Sequence, residues 1–110
     1  MAKRIMYVIG TDGQIELLDD RVVIHRKGIL NMLKHGFASR REIPIASISS
    51  VNFRDAHLLK SGEIDFDYAG RSQMDRKQNT VIFLKSKQKE FLALKEKIFS
   101  MMQQQRKHGA

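Results

Sequence analysis

The residues best suited to chemistry in this chain are scattered rather than assembled. Four histidines, His25, His35, His57 and His108, follow no metal-ligand spacing such as HExxH. Ser39, Ser47, Ser49, Ser50 and Ser72 have no evident base or orienting acid, and neither a G-x-S-x-G elbow nor a P-loop occurs. The chain has no cysteine, which removes disulfides, thiolate metal sites and thiol nucleophiles. Glu63, Asp65 and Asp67 fall at i, i+2 and i+4. On a flat strand such carboxylates point one way and diverge too little to wrap a cation, so they predict a solvated strand face. The expectation is a protein that is not an enzyme and carries no metal and no cofactor.

Charge is the stronger signal. The 110 residues carry a net charge of +8, an excess that attracts anionic lipid, nucleic acid or acidic protein surfaces. Between Arg21 and Arg54 stand seven basic residues and one acid, Glu42; between Lys85 and Lys107 stand seven basic residues and two acids, Glu90 and Glu96. The acidic island of Asp55, Glu63, Asp65 and Asp67 separates them. The charge is therefore spread along the fold and is not a basic tail. No run approaches the roughly 18 apolar residues of a spanning helix, and Ile5 to Ile9 is too short for a signal-peptide core. These features predict a soluble protein of the cytoplasm, with the inner membrane face as a candidate place of attachment.

The segment from Gly28 to Phe37 is the oddest stretch. Glycines bracket Ile29, Leu30, Met32 and Leu33, Phe37 follows, and Lys27, Lys34, Arg40 and Arg41 flank them. An apolar tip with a basic collar suits an anionic membrane surface or a second subunit. The alternative is a strand extension or helical turn covering the core. Ile29, Leu30, Met32, Leu33 and Phe37 form the candidate interaction surface. Arg26, Lys27, Lys34, Arg40 and Arg41 are the candidate anion- or lipid-binding residues.

The elements that must position these residues read as strands followed by a helix. Ile5 to Ile9, Gln14 to Leu18, Arg21 to Arg26, Arg40 to Ile45, Ile48 to Asp55, Gly62 to Ala69 and Thr80 to Leu84 are the expected strands. Asp12-Gly13 marks a hairpin turn. After Leu84 the apolar period changes from 2 to 3.6, through Phe91, Leu94, Ile98 and Met102, predicting an amphipathic helix over about 87–105 with Ser86 as its N-cap. One domain over 1–110 is expected. It is mainly β, a bent antiparallel seven-stranded sheet or partly open barrel capped by one C-terminal helix.

Seven strands and a terminal helix are also the order of a pleckstrin-homology (PH) domain. The chain resembles the bacterial PH-like families. Ile43-Pro44-Ile45 with Ile48 and Val51 is similar to their "IPL…I…V" signature. Gly62, Ile64 and Phe66 are similar to a following "G-x-I-x-F" strand. Asn79, Val81 and Phe83, then Phe91, Leu94 and Ile98, resemble the closing strand and helix. The likeness runs from about Val8 to Phe99 and rests on core and turn positions. It implies a non-catalytic module of membrane-associated or oligomeric proteins. Phosphoinositide-binding PH domains carry basic residues around the loop between their first two strands. Here that loop is Gly10-Thr11-Asp12-Gly13, short and acidic, which speaks against the usual inositol-phosphate pocket. The expected function is a PH-like binding module for a membrane surface or a protein partner, with homo-oligomerisation as one route. The alternative is sequence-nonspecific nucleic-acid binding through the basic surface, which lacks the interleaved aromatics that stack on bases.

Overall fold

A computed structural model describes residues 3–26, 40–69 and 79–109, with side chains to Arg106. The strands are β1 (Arg4–Ile9), β2 (Gly13–Leu18), β3 (Arg21–Arg26), β4 (Arg40–Pro44), β5 (Ile48–Arg54), β6 (Gly62–Tyr68) and β7 (Thr80–Phe83). A C-terminal helix, α1 (Gln88–Gly109), follows. The structure is therefore mainly β with one C-terminal helix, as the change of period at Leu84 predicts.

The strands do not form one bent sheet or a barrel. They form two antiparallel sheets, β1-β2-β3-β4 and β5-β6-β7. Pro44 ends β4, since it has no N–H to continue a ladder, and a 3₁₀ turn over Ile45–Ser47 redirects the chain into the second sheet. Between β2 and β7 no ladder forms. The outward backbone groups of Ile82 are instead taken by the β1–β2 turn. Thr11 N donates to Ile82 O at 2.8 Å, and Ile82 N donates to Asp12 Oδ1 at 2.9 Å. A turn thus satisfies the edge of β7 where a further strand would close a barrel. The approach is close enough to demand glycine. A Cβ at Gly10 would lie 2.6 Å from Ile82 O and 2.7 Å from a Val81 methyl.

The core lies between the sheets and under the helix. Ile15, Leu17, Val22, Ile24 and Ile43 face inward from the first sheet; Ile64, Phe66, Val81 and Phe83 from the second; and Phe91, Leu94 and Ile98 from α1. Phe83 and Phe91 stack at 4.4 Å between centroids, joining helix to sheet. Ile43, Ile45, Ile48, Ile64 and Phe66, which carry the PH-like resemblance, are all buried. The helix begins after a 3₁₀ turn over Lys85–Lys87. Ser86 sits inside that turn and is not the helix cap. The helix continues through Gln103–Gln105 to Gly109.

The acidic row of β6 is not a solvated face. Asp65 is buried, 7% exposed. Thr80 Oγ1 donates to its Oδ1 at 2.8 Å, and Asn52 Nδ2 reaches its Oδ2 at 3.4 Å. Asn52 and Ser50 also donate to Asp67 Oδ2, at 2.8 and 2.9 Å. Small polar side chains on the flanking strands therefore take up two of the three carboxylates.

Candidate functional site

The register of the first sheet decides what its inner face presents. Leu17 pairs with Val22 and Ile15 with Ile24, so the next inward position is the pair Gly13 and Arg26. On the other side Val22 pairs with Ile43 and Ile24 with Arg41. Residues two apart share a face. The aliphatic inner face therefore ends in two guanidinium groups, Arg26 and Arg41, diagonal to each other across β3 and β4. Arg26 has only 20% of its side chain exposed.

Polar groups from other elements meet this pair. Arg26 Nη1 lies 3.6 Å from Asp12 Oδ2. Burial lowers the pKa of the Arg26 guanidinium, Asp12 opposes that shift, and the charge of Arg41 adds to it. The group stays cationic, since guanidinium ionises far above neutral pH. Arg41 Nη1 donates to Tyr68 Oη at 2.9 Å. Asn79, fully buried at the start of β7, reaches the same hydroxyl through Nδ2 at 3.4 Å. Its Oδ1 has no hydrogen-bond partner among the described residues. The two sheets thus close at this end with a polar plug of Asp12, Arg26, Arg41, Tyr68 and Asn79. Two cationic forks side by side suit the oxygens of a phosphate or carboxylate.

Of the sequence-predicted basic residues, the structure brings Arg26 and Arg41 together. It does not bring Arg40 with them. Adjacent strand residues point to opposite faces, and Arg40, paired in register with His25, projects from the outer face. There its Nη2 lies 3.3 Å from Glu42 Oε2. Arg21 Nε approaches the same carboxylate at 2.9 Å, at an angle too poor for a hydrogen bond. Lys27 and Lys34, and the candidate interaction surface of Ile29, Leu30, Met32, Leu33 and Phe37, lie outside the described residues. The sequence reading missed Asp12, Tyr68 and Asn79 as members of the cluster. Only the alternation of β6, which sets Tyr68 on the inner face with Ile64 and Phe66, pointed toward one of them.

A second feature was also missed. His57 N donates to Lys60 O at 2.7 Å and Lys60 N to His57 O at 3.3 Å. These bonds close a two-residue loop between β5 and β6, and its residues are Leu58 and Leu59. They are 87% and 96% exposed, the highest values among the exposed large apolar side chains described.

Among the described residues no group of three or more His, Cys, Asp or Glu could hold a metal ion. No described helix is long and apolar enough to cross a membrane. No family model, no curated protein and no solved structure matches the chain.

Proposed function

We propose that the chain is a non-catalytic PH-like binding module that associates reversibly with an anionic membrane surface. Two things support the PH-like part. The order of a four-stranded sheet, a three-stranded sheet and a terminal helix is the order of that fold. Apart from Pro44 and Val51, the apolar residues carrying the resemblance are buried. The observation that carries the functional part is the convergence of Arg26 and Arg41 at the end of the sandwich, where chain 27–39 leaves and returns. Closely spaced guanidiniums bind phosphate-bearing headgroups well, because each offers a planar fork of donors. Each basic residue at an anionic membrane contributes on the order of 1 kcal/mol.

Sedimentation with phosphatidylcholine vesicles, with and without phosphatidylserine, tests this. The protein should be retained only on the anionic vesicles. Arg26→Gln with Arg41→Gln should weaken that retention on the order of tenfold, whereas Arg40→Ala should change it little. A DNA-binding protein would instead hold duplex DNA with an affinity that falls steeply with salt and would ignore the vesicles. A homo-oligomer formed without lipid would show in light scattering.

A further inference from the structure

The residues at the centre of a two-residue hairpin loop are normally Asn, Asp or Gly, because those residues tolerate the backbone the turn requires. Here both are leucines, and both stand in water. At 87% and 96% exposed, neither belongs to the core. A local rule broken without a compensating contact marks a place to look for function.

The surroundings of the tip are basic. Ala56 N donates to Gln88 Oε1 at 2.6 Å, which ties the base of the loop to the first residue of α1. Gly62 pairs with Phe83, so the chain leaving β7 runs past the loop with exposed Leu84 and then Lys85, Lys87 and Lys89. Acids are few and mostly taken up. Arg54 Nη1 lies 3.4 Å from Glu63 Oε1, and Lys87 Nζ lies 3.5 Å from Glu90 Oε2. Among the described residues of these segments, that leaves Lys60, Lys85 and Lys89 against Asp55.

We propose that the Leu58–Leu59 hairpin tip inserts into the interfacial layer of an anionic bilayer, with Lys60, Lys85 and Lys89 against the headgroups. The proposal rests on the membrane reading above and names the element that enters. The area of the tip argues against a second copy as its occupant. Two leucines offer roughly 100 Å² each, against about 800 Å² per partner in a stable protein interface. A bilayer needs no such complementary area, and the lysines match its charge. The tip and the Arg41–Tyr68 contact lie at opposite ends of β6, about 30 Å apart. Together they set that strand along the membrane plane rather than upright on it.

The chain contains no tryptophan, so Leu58→Trp places a single fluorophore at the tip. On phosphatidylserine-containing vesicles its emission should shift to the blue and be quenched by lipids brominated on the acyl chain; on phosphatidylcholine alone it should do neither. Leu58→Ser with Leu59→Ser should lower retention on the anionic vesicles about tenfold or more at an unchanged melting temperature. Should the unaltered protein sediment with vesicles while the tryptophan stays in water and the serine pair binds equally well, the tip is overturned and the membrane reading stands. If neither sedimentation nor a fluorescence change occurs, both fail. A lipid-free dimer dissolved by the serine pair would assign the tip to a second copy and also overturn the proposal. The tryptophan variant decides the matter even if the serine pair does not fold.

Discussion

At one end of the sandwich, polar groups stand where core is expected; at the β5–β6 loop, apolar groups stand in water. Arg26, Arg41 and Asn79 occupy inner-face or buried positions, and each is held by partners drawn from elsewhere in the chain: Asp12 for Arg26, Tyr68 for Arg41 and Asn79. Leu58 and Leu59 occupy the exposed tip of a tight turn that the backbone bonds between His57 and Lys60 close. Folding needs the polar plug to be partnered, because an unpaired buried polar group is costly. The leucines, left in water, bury little area that folding could gain from. The two regions should therefore respond oppositely to mutation, and the ordinary core between them sets the scale.

The largest effect belongs to that core. Ile98 and Phe91 are fully buried, and Phe91 stacks on Phe83. Phe91→Ala should cost about 3–5 kcal/mol, and Ile98→Asp should leave too little folded protein to measure a urea midpoint. A midpoint near that of the unaltered protein for either variant would mean that the helix does not complete the core.

Asp12 comes next, and it tests the plug. Its carboxylate serves both the Ile82 N–H and the Arg26 guanidinium. Asp12→Ala should destabilise by about 0.5–1.5 kcal/mol, mostly because the Ile82 amide loses its acceptor. Asp12→Asn keeps a carbonyl oxygen for that amide and loses only the charge. It should recover most of the loss, since a partly exposed ion pair contributes little. Equal losses for both variants would show that the charge on Arg26 matters more than the edge of β7.

Why the sequence revealed one region and not the other follows from where the information lies. The strands and the helix are written locally, in the alternation of Ile64, Phe66 and Tyr68 and in the spacing of Phe91, Leu94 and Ile98. The division into two sheets is not local. It depends on Thr11 and Asp12 reaching Ile82, some seventy residues away in the chain. The burial of Asp65 depends likewise on Asn52 and Thr80. Arg26 and Arg41 were legible as basic residues. Their shared face, and the exclusion of Arg40 from it, required the β3–β4 register. Ser86 misled because a 3₁₀ turn delays the helix to Gln88. Leu58 and Leu59 carried a signal, two aliphatic residues between His57 and Lys60, but the turn they form lacks the Asn-Gly chemistry by which turns are recognised.

A smaller effect lies on the outer face of the first sheet, away from both regions. Glu16 has its pKa lowered, chiefly by a hydrogen bond from Arg4, with His25 adding to it against the cost of burial. Arg4 Nε lies 2.8 Å from Glu16 Oε2 and His25 Nε2 3.3 Å from Oε1. A carboxylate with a depressed folded-state pKa stabilises the fold above its ordinary value of 4.5, and that stability is lost as pH falls through the folded-state value. The urea midpoint should therefore drop more between neutral pH and acid in the unaltered protein than in Glu16→Gln. Identical pH profiles would remove the network from the account of stability.

The smallest expected change in stability is at the tip, and its sign is the sharpest test of the comparison. Leu58→Asn with Leu59→Gly installs the residue pair that two-residue hairpin loops prefer. If the leucines contribute nothing to folding, the change should leave stability unaltered or raise it by up to about 0.5 kcal/mol. It also removes the two side chains available to a membrane, so retention on anionic vesicles should fall as it does for the serine pair. The opposite outcome is equally legible. A loss above about 1 kcal/mol would mean that the leucines hold the β5–β6 loop together. Apolar groups at the tip would then be structural, as the polar groups of the plug are, and the contrast between the two regions would disappear.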